Sequence, residues 1–457
     1  MPPHLATTEN GSIRMTHAVT TDASAESVLV VDERVFVHLR ALAGLPEAEG
    51  VLSYGYSRGH ETIRLGNCVG LLALPGGATL EILPKIGPVG DPTVGDPTVG
   101  DPTVGDPTVG GPNDTPTYQP ARTALLRMLR HLPDCPFRTL TDAHLGATHL
   151  PLWNVFVLAF LDALTALTRQ GLQTAYQRVE CNGSFVRGRI QPARHLRENL
   201  VHAERVAVAY DALTLDVPPN RVLKSALLHV LPRVGSARLE TRLYQLLSIM
   251  HDVLPASDLS ADFARIHALN RLFERYAPAL RWAELLLTGR AFGPRSGAVS
   301  TFSLLFPMQR VFEEFVAHGF RAFWPTGDVS TQESSAHLVE HHGGLPKFRL
   351  RPDILVRQPD RTLVFDTKWK RVDGTNPQRQ YGIDSADLYQ LFAYGKKYEA
   401  SDVFLVYPAN PTFTKPLDVF GYDLTMRLHV LPFDATRPLR EEVERVWQYA
   451  QRESFKT

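Results

Sequence analysis

The sequence predicts a multidomain α+β protein with a β-rich N-terminal region, a mainly helical middle and a C-terminal α/β core. Three observations predict it. Val28 to Val37 and Val51 to Leu83 are rich in β-branched and apolar residues and are broken by glycines. Apolar residues then recur at helical spacing over much of residues 121–276. Residues 307–406 read as helix, strand, two-strand hairpin, helix and short apolar strand, an order that builds a sheet with parallel pairs.

Composition sets the outer limits. The 457 residues are 44% hydrophobic and 21% charged, a globular composition with chain enough for two or three cores. The 48 Lys and Arg balance 48 Asp and Glu, which argues against a protein that coats nucleic acid unaided. Any polyanion must be met by a local patch or by a partner. Cys68, Cys135 and Cys181 lack CxxC spacing, which argues against a disulfide framework or zinc site and fits a reducing cytoplasm. Neither a signal peptide nor about 18 consecutive apolar residues is read, so no membrane partner is expected.

Residues 1–24, rich in Thr, Ala and Ser, read as a flexible leader. Residues 25–150 follow as the β-rich domain, which includes Leu80-Glu81-Ile82-Leu83-Pro84-Lys85. Asp-Pro-Thr-Val-Gly then repeats four times from Asp91 to Gly110. With Pro and Gly in every copy and only Val apolar, the repeat cannot bury a core, so 88–116 is expected to be a disordered loop. Four copies of five residues are too short to stack as a solenoid; a β-turn spiral is the alternative. Helices are expected over Ala121–Leu132, Trp153–Arg169, Asn220–Val234, Ser236–Val253 and Ala261–Tyr276, most of them in a helical middle region, 151–295. Within it, Phe185 to Ile190 would set Arg187 and Arg189 on one strand face, more in keeping with a solvated pair than with phosphate contacts.

The last region, 296–457, carries the chemistry. Pro307 to Phe323 reads as an amphipathic helix whose Met308, Val311, Phe312, Phe315, Val316 and Phe323 share one side. Glu313 falls at the edge of that stripe and Glu314 farther into solvent. A turn at Gln358 to Arg361, with proline second, folds Ile354–Val356 against Leu363–Phe365 and brings Asp353 near Asp366. Alternation points Asp366 and Lys368 to a polar face and Leu363, Phe365 and Trp369 to an apolar one. Asp384 or Ser385 caps a helix to about Tyr398 with Leu388, Leu391, Phe392 and Gly395 as its buried stripe. Asp387, Gln390 and Tyr394 form a second face toward the strands. Val403 to Val406 is a buried parallel strand.

Two carboxylates meeting this way repel unless a hard cation joins them, and oxygen donors favour Mg²⁺ or Mn²⁺. Lys368 could then orient a water or stabilise charge on phosphorus. Alone, an Asp-x-Lys tripeptide is most often a solvated strand face, and a helical Glu pair most often surface decoration. Their combination is the specific signal. From Lys347 to Lys397 there are eleven Lys and Arg against six Asp, a basic segment in a neutral chain.

This order resembles the PD-(D/E)xK nuclease superfamily, in the branch with a Gln-x-x-x-Tyr helix after the catalytic strand. The resemblance implies a restriction-endonuclease-like core in which Asp353, Asp366 and Lys368 are catalytic. Glu313, Asp353, Asp366 and the Thr367 carbonyl would hold the metal, with Gln390 and Tyr394 supporting the site. Leu80–Lys85, Phe185–Ile190, Asp216 with Asn220–Lys224, Phe306–Glu313 and the nuclease block together resemble the McrC family, endonuclease subunits of McrBC-type modification-dependent restriction systems. That likeness spans about Val51 to Leu431, with the pentapeptide repeat as a departure. It implies Mg²⁺-dependent cutting of double-stranded DNA with modified cytosine, in phage defence. It further implies an N-terminal part docked on a McrB-like hexameric AAA+ GTPase whose GTP hydrolysis is stimulated. No Walker-type phosphate loop is present to serve that hydrolysis in this chain. The competing readings are a stand-alone RecB-like repair nuclease and a non-catalytic GTPase-activating adaptor.

Overall fold

The computed structural model describes residues 4–15, 28–86, 118–133, 135–147, 150–267, 271–289, 303–422 and 426–454. Within these the chain forms two compact units: 156–289, and 2–155 with 290–457. The Asp-Pro-Thr-Val-Gly loop and the junction at 296 lie outside the described residues.

The 156–289 unit is helical around a small antiparallel sheet, with Val206–Thr214 central between Ala175–Gly183 and Arg189–Ile190. Pro218–Val230, which starts on two prolines, buries Val222, Leu223, Ala226 and Leu227. Ala277–Thr288, not foreseen from the sequence, buries Trp282 against Phe156. Arg187 lies outside the two-residue strand holding Arg189, contrary to expectation, and its guanidinium stacks over Tyr210 at 4.3 Å. The reason is Gly188, whose φ of 73° breaks the extended run. Leu152–Arg169 is long and apolar enough to cross a membrane by length and composition alone, but 61% of it is buried inside the protein.

The second unit knits both ends of the chain together. The expectation of a leader fails for His4–Thr8 and Ser12–Met15, which are strands. His4–Thr8 runs parallel to Thr79–Leu83, inside a sheet completed by Cys68–Ala73 and Ser303–Pro307. Ala6 and Thr7 are buried there against a partner strand that is buried throughout, which stabilises a segment whose composition is unremarkable. Val28–Val31 is a strand as expected, but Val37 lies in the helix Glu33–Ala43, which Asp32 caps through its bond from the Val35 amide. Ser303–Pro307 pairs with Cys68–Ala73 and leads directly into the helix Met308–Phe323. At Gly70 a Cβ would lie 1.9 Å from the Leu304 carbonyl oxygen, so that pairing requires glycine. The β-rich N-terminal segment and the C-terminal region thus share one compact unit.

The larger sheet of this unit has six strands in the order Asp328–Thr331, Ile354–Arg357, Thr362–Thr367, Asp402–Pro408, Arg427–Phe433 and Phe420–Gly421. Thr362–Thr367, Asp402–Pro408 and Arg427–Phe433 are parallel, and the rest antiparallel. The helix Ser385–Lys397, capped by Asp384 as expected, joins the first parallel pair. Phe365 is ringed by Phe320, Trp324 and Phe404, while Val364 packs with Leu391 and Tyr394. Both faces of the Asp366 strand are therefore buried. Phe392 is 39% exposed, and Asp387 and Tyr394 take its expected place in the core.

Candidate functional site

The hairpin forms in the expected register: Ile354 pairs with Phe365, Leu355 with Val364, Val356 with Leu363 and Arg357 with Thr362. Continuing it by one residue sets Asp353 opposite Asp366. Asp353 is 8% exposed and Asp366 2%. Asp353 Oδ2 accepts from the Thr367 amide and hydroxyl, both at 2.7 Å, and its Oδ1 lies 3.4 Å from the Gln332 carboxamide nitrogen. Asp366 Oδ2 pairs with the Lys368 ammonium but receives no aligned hydrogen bond.

Lys368 is held from the helix side as well. Its Nζ donates to Gln390 Oε1 at 3.1 Å, the Gln390 amide donates to the Tyr394 hydroxyl at 2.7 Å, and that hydroxyl donates to the Arg351 carbonyl at 3.1 Å. The polar helix face read from the sequence thus closes a loop back to the residue two before Asp353. Glu313 reaches the Gln332 carboxamide from the first helix. Gln332 itself sits at φ 53°, a left-handed conformation that costs a non-glycine residue about 1–3 kcal/mol, and its amide donates to the Asp353 carbonyl at 3.0 Å.

Burial dominates the electrostatics. It pushes Glu313 up to about 8, with the neighbouring Asp353 adding to the rise. Asp366 rises to about 7, first from burial and then from Asp353, against the pull of Lys368. Asp353 also lies above the ordinary carboxylate range because burial outweighs its two bonds from Thr367. Burial disfavours the Lys368 charge, yet Asp366, with Asp353 and Asp387 behind it, more than offsets this and raises the lysine. Three buried acidic groups, two of them raised further by their carboxylate neighbours, thus sit beside a retained ammonium.

The expected three-carboxylate metal set is not closed. Among the described residues no three His, Cys, Asp or Glu side chains converge tightly enough to hold a metal ion. Glu313 is engaged by Gln332, and the Thr367 carbonyl already accepts from Gln309 Nε2 at 2.7 Å. Asp353 and Asp366 remain as the paired carboxylates, with a second lone pair on the Thr367 oxygen. That all-oxygen set fits magnesium, which keeps several waters and needs only one or two carboxylates.

Three elements escaped the sequence reading. Gln332 bridges Glu313 and Asp353 from a strand end with no motif of its own. Lys370 donates to Asp387 at 2.8 Å, and the buried Tyr407 hydroxyl to the same carboxylate at 3.3 Å, a cluster that only the fold assembles. Gln309 was legible in principle, since it lies four residues before Glu313 on the same helix face.

Fold and site together define a multidomain α/β protein with a lysine-paired carboxylate cluster at the end of a parallel strand. Residues 63–408 match the family model of the McrBC 5-methylcytosine restriction system component, and the chain belongs to that family. In fold it is similar to a chain of the refined half-complex from a tetradecameric assembly of Thermococcus gammatolerans McrB AAA+ hexamers with bound McrC. That match has a TM-score of 0.67 at 17% identity and covers 98% of this chain and 100% of the other. A second match, to the cryo-EM structure of the Thermococcus gammatolerans McrBC complex, has a TM-score of 0.45 at 19% identity, covering 69% and 86%. No curated protein matches the chain in sequence.

Proposed function

We propose that this chain is the Mg²⁺-dependent DNA endonuclease subunit of a 5-methylcytosine-directed restriction system and carries a PD-(D/E)xK core. The observation that carries the reading is the register that sets buried Asp353 opposite Asp366, with Lys368 ion-paired to the latter. Asp353, Asp366 and the Thr367 carbonyl would hold the cation, and Glu313 would join through its own carboxylate or a water once released from Gln332. When bound, the cation supplies Lewis acidity at the scissile phosphate and lowers the pKa of a bound water. The chain's own residues supply the rest. Lys368, freed from Asp366, donates to a phosphate oxygen and offsets charge that builds up at phosphorus. Gln390 and Tyr394 keep the ammonium in place between turnovers. Lys370 adds positive charge at the rim, where a DNA backbone would pass.

The assembly in the Thermococcus structure, McrB AAA+ hexamers with bound McrC, supports a hexameric AAA+ partner here; the reading makes that partner a GTPase whose hydrolysis this chain stimulates. Double-stranded DNA bearing modified cytosine is the substrate this reading assigns. The scattered spacing of Cys68, Cys135 and Cys181, without a CxxC pair, agrees with a cytoplasmic setting. The deciding experiment is Asp366→Ala in the assembled complex with GTP and Mg²⁺ on a methylated plasmid. Cutting is expected to fall at least 1,000-fold while partner GTP hydrolysis stays stimulated; cutting at the unmodified rate overturns the proposal.

A further inference from the structure

We propose that Gln309 is a positioning residue that stands in for a missing strand and holds residues 367–369 extended, so that Lys368 projects beside Asp366. This inference rests on the nuclease reading and adds to it a residue on the first helix that touches no reacting atom.

The argument begins with Pro352. Ile354 pairs with Phe365, so the same antiparallel register carried two residues further sets Pro352 opposite Thr367. Proline has no N–H, and the ladder on that side of the Asp366 strand cannot continue. On the other side pairing persists, because the Lys368 amide donates to the Val406 carbonyl at 2.9 Å. Backbone polar groups alternate in direction along a strand, so those of Thr367 and Trp369 face the side that Pro352 left open. Each is nevertheless satisfied. Asp353 Oδ2 takes the Thr367 amide at 2.7 Å. Gln309 supplies the remainder: its Nε2 donates to the Thr367 carbonyl at 2.7 Å and its Oε1 accepts from the Trp369 amide at 2.7 Å.

One carboxamide thereby replaces both bonds that a strand partner would make across Thr367 to Trp369. The residue it straddles is Lys368. Trp369 is fixed in turn by its indole N–H, which donates at 2.6 Å to Glu9, a residue 1% exposed. Thr367 is fully buried and Trp369 is 7% exposed, so water cannot substitute for the carboxamide at the carbonyl. Rotation of the 367–369 backbone would swing the lysine out of reach of a phosphate held beside Asp366, and misplacement by about 1 Å is enough to cost on the order of 100-fold in rate.

The test uses the full chain assembled with its AAA+ GTPase, GTP and Mg²⁺ on methylated plasmid, and compares Gln309→Met, Gln309→Glu and Asp366→Ala. Met keeps the length and removes both bonds; Glu keeps the acceptor for the Trp369 amide and loses the donor. Gln309→Met is expected to slow the single-turnover cutting rate at least 10-fold with the half-saturating DNA concentration unchanged. Its Trp369 amide should exchange hydrogen at least 10-fold faster, while Gln309→Glu keeps slow exchange there and cuts at an intermediate rate. A folded Gln309→Met that cuts within twofold of the unmodified chain overturns the proposal, as does unaltered Trp369 exchange. If Gln309→Met does not fold, Gln309→Glu decides alone, and cutting at the unmodified rate by that variant overturns it. Unimpaired cutting by Asp366→Ala would instead remove the nuclease reading, leaving the exchange result to stand for the clamp.

Discussion

Asp366→Asn should make the metal-free protein more stable at pH 8. Asp366 is 2% exposed, and burial with the adjacent Asp353 raises it from 3.8 to about 7. A carboxylate whose folded value is raised contributes stability below its unfolded value and loses it as pH climbs through the folded one. Between pH 4 and pH 8 the native state therefore gives up on the order of 4 kcal/mol, at ~1.4 kcal/mol per pH unit over the gap between 3.8 and about 7. Asparagine removes the charge at nearly constant shape, and because the rise to about 7 is already net of the pull of Lys368, the gain at pH 8 is on the order of 4 kcal/mol. At pH 4, close to the unfolded value of 3.8, the gain disappears. Calorimetry without metal should show the variant melting a few degrees higher at pH 8 and no higher at pH 4. Millimolar Mg²⁺ should then raise the melting temperature of the unmodified chain and leave the variant's nearly unchanged. A variant that melts lower at pH 8 without metal, or that gains as much from Mg²⁺ as the unmodified chain, refutes the electrostatic account of this site.

Two further perturbations test the framework around it. Arg122 donates at 2.8 Å to Glu81, which is 0% exposed and also accepts from the Leu152 amide. Arg122→Leu leaves a buried carboxylate without its cation and should cost about 3–5 kcal/mol, most of it recovered in denaturant titrations when Glu81→Leu is added. In the helix Ser385–Lys397, a Cβ at Gly395 would lie 2.2 Å from Met426 Sδ and 3.0 Å from Val403 Cγ1. Gly395→Ala should cost about 1–3 kcal/mol by overpacking and slow cutting by displacing Gln390 from Lys368; a thermal shift of zero would show the gap to be more yielding than that.

Much of the C-terminal region was legible because local rules act over short spans. A proline-centred turn between two apolar runs fixes a hairpin register, and that register alone places Asp353 opposite Asp366. The cap at Asp384 and the three-and-four spacing of Asp387, Gln390 and Tyr394 likewise follow from helix geometry. The strand at His4–Thr8 was not legible, since its stability comes from parallel pairing with Thr79–Leu83, more than seventy residues on. Nor could the sequence tell that both faces of the Asp366 strand would be covered, because coverage depends on which helices return to it.

The sequence by itself determined the pairing of the two aspartates, the position of Lys368 two residues beyond, and the polar face of the helix that meets it. Tertiary structure alone decided that Glu313 meets Gln332, that Gln309 spans the gap left by Pro352, and that the N-terminal strands share a unit with the C-terminal sheet. The physical reason is range. Turn chemistry, alternation and helical periodicity are fixed by neighbours within a few residues, whereas burial, and with it every raised carboxylate in this site, is set by segments that the chain brings back from far away.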